Sequence, residues 1–491
     1  MKFFKILFVS LFSLFGILAC TEDDGGSTNY YSTPAPAQSS IPFNRGVDNG
    51  YVITSNQGNR TLGVLNSFTG RLVGTIDLSA EISTSATKKG QSHFLVVTRN
   101  GAEIWLGEES GEAGNVIVYD LKGNGGGKAA VFTDNPDTRR VTVDLTDADS
   151  SEKLLKRFSG VGSSINFYLS HDGRYAFNSN GRKGAHNANG PVGINVYDVI
   201  KKVHLGVIRN GETIDNPANE ASPINTGDPH VIESTQDDKV LWVTDAAGGN
   251  IIAFDISKLD LVERVDDLTI TKERVLNDLQ DAEGKVAQIV KFPIRAPGLL
   301  HNAIPSLHAF AVHPSGNFVL VGAAGGNQNS DRTAETDYEG NYVIDVRDIK
   351  NPKFFAKVPG NPHNYELSPD LKYLLSTESY GVDCEEAHHV PDDESSYLVR
   401  IDISTLSSSA PKASEIVIDK YVASKDTLGF GSGSNTTVSH VLYSPDGELV
   451  YVTYYNDKLV IFDAQGLFPI SVVDLGSGAK AHSLAIPGYA R

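Results

Sequence analysis

Thirteen histidines lie in this 491-residue chain, and six of them recur at one kind of place. His93, His230, His308 and His363 each stand five residues ahead of a tight polar turn, and His440 stands four ahead of another. His482 matches His440 when Pro487 is aligned with Pro445. A neutral imidazole offers a nitrogen lone pair, and three or four such donors suffice to hold Zn²⁺ or a copper ion. Asp228, two residues before His230, is near enough to join them or to orient an imidazole as the acceptor of its N–H. A plainer reading stands beside this one. Repeats arise by duplication, so six histidines are not six independent coincidences, and each ring can simply bond a neighbouring backbone.

A second candidate lies in the stretch after Glu378. Cys384, His388 and His389 are metal-competent and sit among Glu385, Glu386, Asp392 and Asp393. A Cys and a His four apart are weakly specific, and a solvated acidic loop explains the same residues. His171, His204 and His313 fall on turns or outer strands and read as structural. The chain has no Gly-x-Ser-x-Gly elbow, no phosphate-binding glycine loop, no His-Glu-x-x-His and no Cys-x-x-Cys-His.

The elements that must position these residues form a repeat. An apolar strand, a tight polar turn and a second apolar strand are followed by a third strand ending in Asp. The turns begin at Thr98, Ser170, Thr235, His313, Ser368 and Ser444. The third strands are marked by Val118-Tyr-Asp120, Val196-Tyr-Asp198, Ala253-Phe-Asp255, Val346-Arg-Asp348, Arg400-Ile-Asp402 and Ile461-Phe-Asp463. A fourth strand follows each. A seventh unit is split across the chain: Tyr51–Thr54, Thr61–Asn66 and Arg71–Ile76 lack an innermost strand, which Ala481–Ile486 supplies. Closing a ring this way removes the sheet edges. The expected fold is an all-β, seven-bladed β-propeller over residues 46–491, with the histidines beside its central channel.

The turn-plus-Asp repeats resemble the YVTN and lactonase-like seven-bladed propellers of secreted bacterial proteins, from about Asn49 to Arg491. That resemblance implies the fold and leaves the activity open, because such propellers host unrelated functions. In size, address and histidine use the chain is also similar to propeller-type periplasmic zinc metallochaperones.

Long insertions join second to third strands at Gly107–Gly114, Asn180–Gly193, Ala324–Gly340 and Tyr380–Ser395. Short helices are expected in loops leading into blades, at Glu152–Phe158 and at Lys272–Val290, from their apolar spacing. All of these would decorate one face, the working face, and leave tight turns on the other.

Lys2 and Lys5 precede an apolar run from Ile6 to Leu18, ending in Ala19-Cys20. This pattern is a secretory signal over residues 1–19, and the cysteine resembles the bacterial lipobox, in which the thiol is lipidated. Residues 20–45, rich in Ser, Thr and Pro, read as a flexible tether. The chain carries 42 Lys and Arg against 60 Asp and Glu, which excludes phosphate-neutralising contact with nucleic acid. The expectation is a lipid-anchored propeller of the cell envelope, at the periplasmic face or cell surface. It would bind zinc or copper for handling or delivery, with a metal-transfer protein as a partner. A lactonase-like hydrolase and a non-catalytic propeller binding protein or glycan are the alternatives. If Cys20 carries the lipid, Cys20→Ser abolishes lipid labelling and either releases the protein or leaves its precursor uncleaved.

Overall fold

The structure, a computed structural model, describes the strands and tight turns between residues 51 and 486. Residues 1–50, 79–90, 121–130, 181–192, 209–227, 262–285, 295–304, 325–338, 379–395, 425–436 and 487–491, with several shorter stretches, lie outside the described residues. The expected signal, Cys20 and the tether therefore fall outside them, as do Cys384, His388 and His389. The strands all belong to one compact unit, Ala35–Arg491.

Seven four-stranded antiparallel sheets account for nearly all the strands. Blade 1 combines β1 (Tyr51–Asn56), β2 (Thr61–Asn66) and β3 (Arg71–Asp77) with the last strand of the chain, β30 (Ala481–Ala485). Blade 2 holds β4 (Gln91–Val97), β5 (Glu103–Glu109), β6 (Asn115–Asp120) and β9 (Leu154–Ser159). A separate hairpin, β7 (Val131–Asn135) and β8 (Arg140–Asp144), is inserted before β9. Blade 3 runs through β10 (Ser164–Leu169), β11 (Tyr175–Asn180), β12 (Gly193–Asp198) and β13 (Val203–Ile208). Blade 4 runs through β14 (Pro229–Ser234), β15 (Val240–Asp245), β16 (Asn250–Asp255) and β17 (Ala287–Pro293). Blade 5 contains β18 (Ser306–Val312), β19 (Phe318–Ala324), β20 (Gly340–Asp345) and β21 (Lys353–Val358). Blade 6 contains β22 (Pro362–Leu367), β23 (Tyr373–Glu378), β24 (Tyr397–Asp402) and β25 (Val417–Ala423). Blade 7 is β26 (Val438–Tyr443), β27 (Leu449–Tyr454), β28 (Lys458–Asp463) and β29 (Pro469–Asp474).

The hairpins between first and second strands form as the turn residues dictate. The fourth turn residue is left-handed in all six: Gly101, Gly173, Gly316 and Gly447 at φ 64–73°, Asp238 at 52° and Leu371 at 59°. Each turn closes with a bond from that residue's N–H to the first residue's carbonyl, 2.7–2.9 Å long. This is a type I turn followed by a left-handed residue, where glycine is least strained. Apolar side chains on the faces of adjacent blades then interdigitate. Trp105 meets Phe158, Phe167 and Tyr197 between blades 2 and 3, and Trp242 packs between blades 4 and 5.

Three expectations are corrected. Glu152–Phe158 is not helical: Leu154–Ser159 is β9, the outer strand of blade 2. A bulge opposite Val118 and Tyr119 passes over Leu155, so Leu155 and Phe158 pack into the same apolar cluster at a spacing of three. A bulged strand thus imitates helical periodicity. Lys272–Val290 ends in β17, again an outer strand, and its residues before 286 lie outside the described set. The described short helical turns, Leu259–Leu261, Ser404–Ser407 and Ala413–Glu415, likewise join third to fourth strands rather than leading into blades. So both long insertions leave from the face that carries the tight turns, and that face is not bare. Finally, the third strand of blade 5 ends at Asp345, not Asp348. Asp348 instead accepts the backbone N–H of Lys350 and the side-chain amide of Asn351 in the following turn.

The closure is as expected. β30 pairs with β1 through Ile53↔Ala485 and Thr54↔Leu484, and the Gln57 and Gly58 amides donate to Lys480 and Ala479. Leu484 is buried in the cluster that joins blades 7 and 1. Truncation after Gly478 is expected to expose two sheet edges and cause aggregation. The milder Leu484→Ala is expected to lower unfolding free energy by about 2–5 kcal/mol in denaturant titration.

Candidate functional site

All six histidines singled out by their spacing lie on innermost strands, and in every blade those strands break register at the same level. The ladder to the second strand shifts between Ser92 and Leu95, Ser164 and Asn166, Pro229 and Ile232, Leu307 and Ala309, Pro362 and Asn364, and Val438 and Val441. In blade 1 the matching shift lies between Thr54 and Asn56 of β1, opposite Ala481 and Leu484. His93, His230, His308, His363, His440 and His482 each fall inside one of these bulges. Alternation along an unbroken strand would send residues four and five ahead of the turn to opposite sides. The bulge cancels that difference, and both groups reach the channel.

The bulges are held from behind by a ring of hydroxyls that sequence reasoning missed. Ser55, Ser179, Thr244, Thr377 and Thr453 occupy one position, just before the last residue of the second strand or next to it. Ser179 Oγ accepts the Asn166 amide (3.0 Å) and donates to the His230 carbonyl of the next blade (2.6 Å). Thr453 accepts the His440 amide (3.0 Å) and donates to the His482 carbonyl (3.1 Å). Ser55 accepts the Ser483 amide (3.1 Å) and donates to the His93 carbonyl (2.5 Å). Each bond ties one blade's bulge to the next blade's histidine. Aligning the second strands of the repeat would have exposed this column of Ser and Thr.

Five imidazoles from five blades make an unbroken chain of ring contacts. His230 stacks on His308 at 4.4 Å between centroids, and His308 meets His363 edge-on at 5.9 Å. His363 meets His482 across the channel at 6.4 Å, and His482 lies 4.2 Å from His93. The sixth, His440, sits edge-on to Phe94 at 5.7 Å, and Phe94 in turn touches His93 and His482. His363 Nδ1 lies 3.1 Å from the Ser439 carbonyl. Asp228 stands just before β14, and its backbone amide donates to Asp245 Oδ1 at 2.9 Å.

Burial holds the His482 imidazole well below the usual histidine range, and the rings of His93, His363, His440 and His230 push it the same way. The ring is therefore neutral at neutral pH, and its buried Nδ1 has no hydrogen-bond partner among the described residues. Next to the imidazoles lies a partly open cavity of about 130 Å³, with Phe94, Phe310, Asn166, Asn364, Glu233 and His440 in its wall. His171, His204 and His313 are accounted for locally, by Tyr168 and Ser234, by Asn195, and by Ser315.

Touching imidazoles, of which His482 is held neutral with its Nδ1 unengaged among the described residues, are donors of the kind that zinc and copper ions prefer. Among the described residues, no group of three or more His, Cys, Asp or Glu is set ready around a common point.

The chain matches no family model and no curated protein in sequence. Solved structures match it in shape. A protein of unknown function from Desulfotomaculum acetoxidans superposes with a TM-score of 0.53 at 11% identity, covering 89% of this chain and 98% of that one. The periplasmic gluconolactonase PpgL of Pseudomonas aeruginosa gives 0.50 at 13% identity, covering 88% and 98%. What is shared is the seven-bladed propeller fold.

The depressed proton affinity of His482 has a consequence for stability. The unfolded chain takes up a proton near pH 6.5 that the folded protein refuses, so this contribution is present above that pH and is lost as pH falls. In metal-free protein, unfolding free energy is expected to drop by up to about 1.4 kcal/mol per pH unit below 6.5 from this group. His482→Gln should flatten the profile measured by denaturant unfolding.

Proposed function

We propose that this propeller binds a transition metal ion, zinc or copper, through imidazoles at the mouth of its channel, and that it handles or delivers that metal in the cell envelope. The contact chain His230–His308–His363–His482–His93 carries the reading. Rings drawn from five blades form one series of contacts although their positions in the sequence span nearly 400 residues. Neutral imidazoles need no proton released before they donate, and burial keeps His482 in that form. His440 is placed to contribute from the cavity wall. The ion would be taken up by rotation of the stacked rings, and the hydroxyl-bonded bulges would hold the backbone still while they turn.

The lipid on Cys20 is the proposed means of attachment to a membrane, and the acidic chain would raise the local concentration of cations near the mouth. Delivery implies a second protein to receive the metal. The periplasmic gluconolactonase of similar fold suggests the second reading, hydrolysis of a small cyclic ester in the same channel. Its specific support is the cavity next to the imidazoles, whose wall includes Asn166, Asn364 and Glu233 together with aromatic residues.

Zinc titrated into metal-free protein is expected to bind stoichiometrically and to raise stability, by about 2.7 kcal/mol when free zinc is 100-fold above the dissociation constant. The double variant His230→Ala/His363→Ala should lose this response, and His204→Ala/His313→Ala should keep it. Equal responses from both double variants, or none from the wild type, would overturn the metal reading. Turnover of gluconolactone by the metal-free protein would favour the hydrolase.

A further inference from the structure

Ten residues after the first position of each hairpin turn, the second strand reaches the mouth of the channel. In three blades the residue there is a carboxylate: Glu108 in β5, Asp245 in β15 and Glu378 in β23. All three are buried. They belong to three of the four blades whose histidine stands five residues ahead of the turn, those of His93, His230 and His363. The blades of Asn166, His440 and His482 carry Asn180, Tyr454 and Asn56 at the matching place.

Two of these carboxylates are bonded in the same way. Asp245 Oδ1 accepts the amide N–H of Asp228 at 2.9 Å, and Glu378 Oε2 accepts the amide N–H of Asn361 at 2.9 Å. Each donor immediately precedes a proline-histidine pair, Pro229-His230 or Pro362-His363. Proline has no N–H, so the amide before it is the last backbone donor by which the strand can be fixed ahead of the histidine. The carboxylates also stand directly opposite those prolines in the ladder, Pro229↔Asp245 and Pro362↔Glu378, and the register breaks at the next residue. The bulge that projects each histidine is thus clamped on its upstream side by a carboxylate.

The carboxylates are themselves held in place, Asp245 from within its own blade and Glu378 from the preceding one. Asp245 also accepts the Gly248 amide at 2.9 Å, and Glu378 also accepts the Asn341 side-chain amide at 3.1 Å. A Cβ on Gly248 would lie 2.2 Å from Asp245 Oδ2, and one on Gly360 would lie 2.4 Å from Glu378 Oε1. Burying a carboxylate is unfavourable, and burial indeed raises the proton affinity of Glu378. Blade pairing does not require it, because Ala323 fills this position in the blade of His308.

We propose that Asp245 and Glu378 are positioning residues, which set the direction of the His230 and His363 rings by clamping the amide before each Pro-His pair. The consequence for affinity rests on the metal reading; the geometric effect on the rings does not. The test uses full-length Asp245→Ala and Glu378→Ala, the methylene-shifted Asp245→Glu and Glu378→Asp, and Asp245→Asn and Glu378→Gln, which retain an acceptor oxygen. Ring ¹H–¹⁵N spectra of the metal-free proteins are expected to show selective shifts: His230 in the Asp245 variants and His363 in the Glu378 variants, with recovery in Asn and Gln. Zinc affinity should fall ten-fold or more in the alanine variants, and the visible spectrum of bound Co²⁺ should change. Unmoved His230 and His363 signals in both the alanine and the methylene-shifted variants would overturn the proposal, as would equal shifts in all six channel rings. A wild type that takes up neither zinc nor Co²⁺ would overturn the metal reading alone, and the ring spectra would then decide the positioning by themselves.

Discussion

A ring of blades has no stable order until its two ends meet, because every blade buries its faces against two neighbours and an open ring leaves two of those faces wet. Here the meeting is a strand exchange: β30, from the end of the chain, becomes the innermost strand of a sheet begun at Tyr51. The same pairing delivers His482, which touches His93 on one side and His363 on the other. Ser55 and Ser483, 428 residues apart, bond each other and share the His93 carbonyl. Closure of the fold and completion of the imidazole chain are therefore one event. Any condition that frays the last strand removes His482, the link between His363 and His93, along with the closing strand of blade 1.

Within the closed ring, the decisive local feature is the bulge on each inner strand. Regular pleating would present every second side chain to the channel, and the six histidines do not keep one spacing from their turns. An extra residue at the bulge absorbs the mismatch. It also leaves backbone groups without ladder partners, and the serine and threonine column supplies those partners across the blade boundary. Buried polar groups that are satisfied in this way stiffen what they join. The channel mouth is consequently a place where the backbone beneath the imidazoles is fixed.

Much of this was legible in order of residues. The polar turns, their left-handed fourth residue and the third strands ending in Asp follow from local chemistry, and local chemistry repeats. Where a bulge intervened, the same reasoning misled. Leu155 and Phe158 share a cluster at a helix-like interval, although they belong to a strand, and Val346-Arg-Asp348 read as the end of a third strand that the ladder ends at Asp345.

By itself the sequence determined the number of blades, the terminal strand that closes them, and the presence of a histidine on nearly every inner strand. These depend on composition and on spacing between neighbours in the chain, which folding does not alter. Tertiary structure alone decided which way the histidines face, that five of them touch, and that His482 is neutral. It also decided that the amides of Asp228 and Asn361 bond Asp245 and Glu378, carboxylates that sequence spacing did not single out, beside His230 and His363. Those properties arise from contacts between strands and between blades, where a hydroxyl of one blade bonds the next blade's histidine carbonyl and a carboxylate of the neighbouring strand fixes one bulge, and no local pattern encodes which residue will arrive.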